Sequence, residues 1–124
     1  MRKHLVGVYK LGFRPIRLFV EPQSGNGSVT LVPDDDGSTV VTIGIDCSWC
    51  EAVSILLHEA YEAVLIDLNT RYQPAPAYSG ESSDFMFITT HNQLSEAHER
   101  VGNFLIEAFP EFGKAYRKYS LYKD

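Results

Sequence analysis

Along the first third of the chain, apolar residues come in short runs separated by turn residues; from Glu51 onward they recur at intervals of three and four. The first pattern predicts strands and the second predicts helices. Leu5-Val6-Gly7-Val8-Tyr9 is a short apolar run, and Ile16 to Val20 follows Pro15 as a second. Gln23-Ser24-Gly25-Asn26-Gly27-Ser28 is a turn cluster, since Gly and Asn tolerate positive φ. Val29-Thr30-Leu31-Val32 precedes a further turn at Asp34-Asp35-Asp36-Gly37-Ser38. Thr39 to Ile45 is rich in β-branched residues. Together these predict an antiparallel β-meander of three or four strands.

Glu51 to Asn69 has few breakers and many good helix formers, which predicts a helix. Arg71 to Asp84 reads as a loop, long enough to act as a lid or to bind a partner. Phe85-Met86-Phe87-Ile88 is a short strand. Thr90 then caps a second helix, with Gln93 completing a capping box. That helix is expected to end near Pro110, which suits the first turn of a short third helix carrying Phe112, Ala115, Tyr116 and Tyr119 on one side. The order predicts an α+β fold: an N-terminal antiparallel meander, two packed helices and a short C-terminal helix.

With 124 residues, the chain is expected to be a single domain, 1–124, with one hydrophobic core. No apolar leader and no membrane-spanning run are visible, so a cytoplasmic protein is expected. Two cysteines are too few for a disulfide framework. Charge is unevenly laid out. Arg2, Lys3, His4, Lys10, Arg14 and Arg17 make the start basic, and no Lys or Arg occurs between Arg17 and Arg71. An acidic middle suits a cation or a basic partner better than a phosphate backbone, although most such charges are simply solvated.

Candidate chemistry centres on Leu56-Leu57-His58-Glu59-Ala60-Tyr61-Glu62. At about 100° per residue, His58 and Glu62 share one helix face. Large apolar residues flank them, so the stripe reads as partly covered. In the second helix Leu94, Val101, Leu105 and Ala108 form an expected buried seam, and His91 and His98 fall on its register. His98 can then lie level with His58 and Glu62, while His91 approaches from the helix start. The two histidines are about 10 Å apart along the axis, too far to share one ion without distortion.

Two imidazoles and a carboxylate match the ligand set of a Zn2+ site with an open position. Glu59, rotated about 100° from His58, has the place of a general base. The competing reading is a hydrogen-bonded His58–Glu62 pair with a purely structural role.

These residues resemble the zincin-like metallopeptidase fold, in which a small sheet precedes a helix bearing H-E-x-x-H. Here Thr39 to Asp46 matches the preceding edge strand, and Ser54-Ile55-Leu56-Leu57-His58-Glu59-Ala60 matches the apolar lead-in to His-Glu. The resemblance covers roughly residues 39–109 and extends to small bacterial and phage proteins. It implies His58 as first metal ligand and Glu59 as catalytic base. Glu62 stands where the family has its second histidine. The third ligand is not fixed by the motif. His91, at a strand-to-helix junction, is favoured, with His98 as the alternative.

Cys47-Ser48-Trp49-Cys50 offers a redox or zinc-clip alternative at a helix start, but the bland reading, small apolar residues beside a packed tryptophan, fits better. Asp34 to Asp36 lacks calcium-loop spacing. The tyrosine- and lysine-rich tail reads as an amphipathic helix packing inward, so no nucleic acid is expected. The sequence thus points to a zinc-binding, zincin-like protein, in one form a hydrolase of peptide bonds. The alternative is a non-enzymatic acidic phage or mobile-element protein that binds another protein or peptide.

Overall fold

The computed structural model describes residues 2–30, 39–72 and 86–122. The Asp34–Asp36 turn and all but the first two residues of the expected 71–84 lid lie outside them. The described elements are β1 (His4–Leu11), β2 (Arg14–Glu21), β3 (Gly27–Thr30), β4 (Thr39–Gly44), α1 (Trp49–Asp67), β5 (Arg71–Tyr72), β6 (Met86–Phe87) and α2 (His91–Tyr119). The α+β class and the order of sheet before helices are as the sequence indicates.

The sheet is antiparallel-rich but is not a simple meander. Its strand order is β1-β2-β4-β3, and β2 and β4 run parallel. Sequential strands usually pair, which is what a meander assumes. Here β4 carries β-branched residues at five consecutive positions, Thr39 to Ile43, and this suits an interior strand covered on both edges. The short β3, beginning at Gly27, takes the edge instead. The strand expected at the edge before α1 is therefore internal. The turn cluster is pinned against the end of β4 by Gly44 N–H donating to Asn26 O at 2.7 Å and Asp46 N–H to Ser24 O at 2.9 Å. A Cβ on Gly44 would collide with this backbone.

Both helices pack on one face of the sheet. Ile16, Leu18, Val20, Val41 and Ile43 from the strands meet Leu56, Ala60 and Val64 from α1 and Val101, Phe104, Ala108 and Phe112 from α2 in one buried core. Small residues at Ala52, Ala60 and Ala63 let α1 come close to its neighbours.

Ser48 caps α1 by accepting from Glu51 N–H at 3.2 Å. Asn69, at φ 59°, ends it in the left-handed conformation. The capping box at Thr90 and Gln93 forms as its sequence suggests. The helices run antiparallel: Gln93 Nε2 donates to Leu68 O at 3.4 Å, Tyr61 meets His98, and Trp49 packs on Phe112 and Tyr116.

No separate third helix exists among the described residues. α2 continues through Pro110 to Tyr119. Phe104 and Ala108 before the proline and Phe112 and Ala115 after it are buried along one line, so packing on both sides keeps the helix continuous through the missing hydrogen bond.

Candidate metal centre

α1 is buried along Ala52, Leu56, Ala60, Ala63 and Val64, and this sets the direction of everything else on it. His58 falls two positions past Leu56 and emerges at the surface, with 70% of its side chain exposed. Glu62, one turn on, is half-buried, and His58 Nε2 stands 3.2 Å from Glu62 Oε2. Glu59 turns toward the sheet and is buried. One ligand-type atom from each of His58, Glu59 and Glu62 lies within 4.8 Å of the other two, a grouping that could hold a metal ion.

Two grooves meet at His58. One is open, about 460 Å³, and lined by Gly25, Asn26, Gly27, Ser54, Ile55, His58 and Glu59. The other is lined by Ser54, Leu57, His58, Tyr61, Glu62, Leu65 and Phe87. The first is roofed by the turn cluster and the start of edge strand β3, whose Gly27 permits its close contact with Ile55 and Glu59.

Burial pushes the Glu59 carboxyl up from the usual carboxylate range; the negative charge of Glu62 adds to this and His58 opposes it. The site therefore joins an exposed imidazole and a half-buried carboxylate to a second carboxylate that holds its proton more tightly than usual.

His91 and His98 do not join this cluster. Both are exposed, because the buried line of α2 is Ala97, Val101, Phe104, Ala108 and Phe112: of the expected seam Val101 and Ala108 are buried and Leu105 partly so, while Leu94 is exposed. That small change in register turns His98 outward, where its Nδ1 and the Tyr61 hydroxyl share a short hydrogen bond. His91 occupies the first position of α2, beyond the end of α1. Sequence reasoning did not include Gly27 and Asn26 in the site. Their only signal was the closely spaced Gly-Asn-Gly, which reads equally well as an isolated turn.

Cys47 is buried beneath the start of α1, with its Sγ 3.7 Å from Gly44 O. Burial raises its pKa, and Glu51 and Asp46 raise it further, so it is held as a thiol. Cys50 is exposed in the first turn of α1. The raised pKa of Cys47 does not favour thiolate chemistry at that residue. Trp49 packs against Phe109, Phe112 and Tyr116 and serves the helix junction.

No helix among the described residues is long and apolar enough to cross a membrane. Compared with protein families, curated proteins and solved structures, the chain matches none.

Proposed function

We propose that the chain is a zincin-like metal-binding protein in which His58 and Glu62 hold a Zn2+ ion and Glu59 works beside it as a general base, in a metal-dependent hydrolase acting on peptide bonds. The observation that carries this reading is the convergence of His58, Glu59 and Glu62 ligand atoms within 4.8 Å at a solvent-open groove.

The donor set fits the ion. Two ligands held about 2.0–2.1 Å from a tetrahedral ion stand roughly 3.3–3.4 Å apart. The observed His58–Glu62 separation is 3.2 Å, so both can serve one ion with little movement. One imidazole and one or two carboxylates suit zinc, and they leave positions open for water or substrate. When bound, such an ion would supply Lewis acidity and acidify a coordinated water.

The chain's own residues supply the rest. Glu59, packed under Gly27, is placed to accept a proton and return it, with an affinity for that proton raised by burial. The groove beneath β3 gives an extended chain access to the same place. His91 and His98, expected as third ligands, stand outside this arrangement, which draws its ligands from α1 alone.

The same 3.2 Å separation also describes an ordinary ion pair at i and i+4, which is the second reading. Metal analysis of untagged protein separates them. Near-stoichiometric zinc is expected in the wild type, with at least a tenfold loss of affinity in His58→Ala and in Glu62→Ala. Glu59→Gln is expected to keep the metal and to lose any peptide hydrolysis found in a substrate screen. Protein that takes up no zinc after loading would overturn the proposal and leave the ion pair.

A further inference from the structure

The helices cover one face of the sheet, and among the described residues no element covers the other. That outer face is laid out in rows by the strand register. Leu5 pairs with Phe19, which pairs with Thr42; Val8 pairs with Arg17, which pairs with Val40; Lys10 pairs with Pro15. Leu5 is 50% exposed and Val8 is 61% exposed. A water-facing side of a sheet usually alternates to polar residues. Here Leu5, Val8, Phe19 and Val40 make adjoining apolar positions instead.

Cations border them. Lys3 Nζ lies 4.3 Å from the centre of the Phe19 ring, and the Arg17 guanidinium lies 5.4 Å from it. The cationic character reflects a wider segregation of charge. Residues 1–20 contain Arg2, Lys3, Lys10, Arg14 and Arg17 and no acid, a charge of +5, so a net charge of −5 leaves −10 on the remainder. Arg14 is engaged with Asp67, and Glu21 closes the far end of β2 on the outer side.

We infer that this face is a docking surface for an acidic segment of another protein, an extended chain that alternates aliphatic residues with Asp or Glu. The aliphatic side chains would lie on Leu5, Val8 and Val40, and the carboxylates would meet the exposed Lys3 and Lys10. The partner is recognised through the face rather than by adding a strand to β1. A bulge between Leu5 and Gly7 twists that edge, and Lys3 and Lys10 flank it, both of which discourage strand addition. The chemistry favours protein over nucleic acid. Phe19 is the one aromatic ring in these rows, whereas single-stranded nucleic acid is held by several stacking rings.

The test is a titration of the full chain, followed by amide chemical shifts, with a Val-Glu repeat peptide, a Val-Lys repeat peptide and an oligothymidylate. The Val-Glu peptide is expected to shift Leu5, Val8, Arg17, Phe19 and Val40, with affinity that falls as salt rises. Val8→Glu and Lys10→Glu, both at exposed positions, are expected to weaken it about fivefold or more each with an unchanged urea midpoint, while Glu99→Gln leaves it unchanged. Tighter binding of the oligothymidylate or of the Val-Lys peptide would overturn the inference. So would shifts confined to other surfaces, or sedimentation showing that a second copy of the chain occupies this face.

Discussion

Gly27 shows how one residue can set the geometry of a site on another element. A Cβ there would lie 2.6 Å from Ile55 Cγ2 and 2.8 Å from Glu59 Cγ, closer than atoms can stand. Gly27→Ala is therefore expected to push β3 and α1 apart. The cost is about 1–3 kcal/mol in urea denaturation, as for other overpacked sites. Glu59 itself has an opposite signature. Burial raises its folded pKa above the unfolded value of about 4.3. The native state then binds the proton more tightly, so the stability Glu59 contributes is complete below the unfolded pKa and is lost as pH rises through the folded one. In metal-free protein, Glu59→Gln is expected to become progressively more stable than the wild type as pH rises above the unfolded carboxylate value. Thermal melts at a series of pH values check it; a difference that does not change with pH would mean that Glu59 is not desolvated in solution.

The elements themselves were largely legible, because α1, α2 and the strands each carry a clear period. What the period could not fix was which line of a helix faces inward. Of the expected seam, Val101 and Ala108 are buried, but a reading by hydrophobicity also favours Leu94 and Leu105. Packing of α2 on the sheet instead buries Ala97, Phe104 and Phe112 beside Val101 and Ala108, and the histidines turn outward with that choice. His58 and Glu62 were legible because their one-turn spacing depends only on α1. A site assembled from two helices was not, because it depends on their relative rotation. The parallel pairing of β2 and β4 is likewise a long-range property, with no mark in either strand beyond the unbroken β-branched run of β4. Pro110 is the other departure. Its helix persists because Phe104, Ala108, Phe112 and Ala115 bury one continuous line across it. The backbone still lacks one hydrogen bond there, so Pro110→Ala, at an exposed position, is expected to stabilise the protein by about 1–3 kcal/mol without changing the fold. A loss of stability on that substitution would show that the proline shapes a bend on which the core depends.

At the scale of the whole molecule, the sheet and α1 are tied together far from the candidate metal centre. Arg14, just after the β1–β2 turn, reaches the last residue of α1. Its Nε donates to Asp67 Oδ2 at 2.8 Å and its Nη2 to Oδ1, while Nη1 donates to the buried Thr39 hydroxyl at 2.7 Å. One guanidinium thus joins β2, β4 and α1. Both charged side chains are about four-fifths buried, which separates this pair from exposed ion pairs that contribute little. Desolvation opposes the contact, and the forked geometry with a third hydrogen bond offsets it. Asp67→Ala should then be more damaging than Arg14→Ala, because it takes the carboxylate away from a guanidinium that stays partly buried, whereas Arg14→Ala removes that cation and frees Asp67 to turn to solvent. Arg14→Lys should not restore the contact, since an ammonium cannot span both carboxylate oxygens and Thr39. A double-mutant cycle is expected to give a coupling of roughly 1–2 kcal/mol, largely insensitive to salt. The same variants carry a second readout. α1 bears His58, Glu59 and Glu62, and β3 reaches the rest of the sheet only through β4, so loosening the clamp should let the helix shift against Gly27. Zinc affinity should fall in Asp67→Ala although that residue lies more than one turn beyond Glu62. Additive single-mutant effects with unchanged affinity would mean that the groove is held by the apolar core alone.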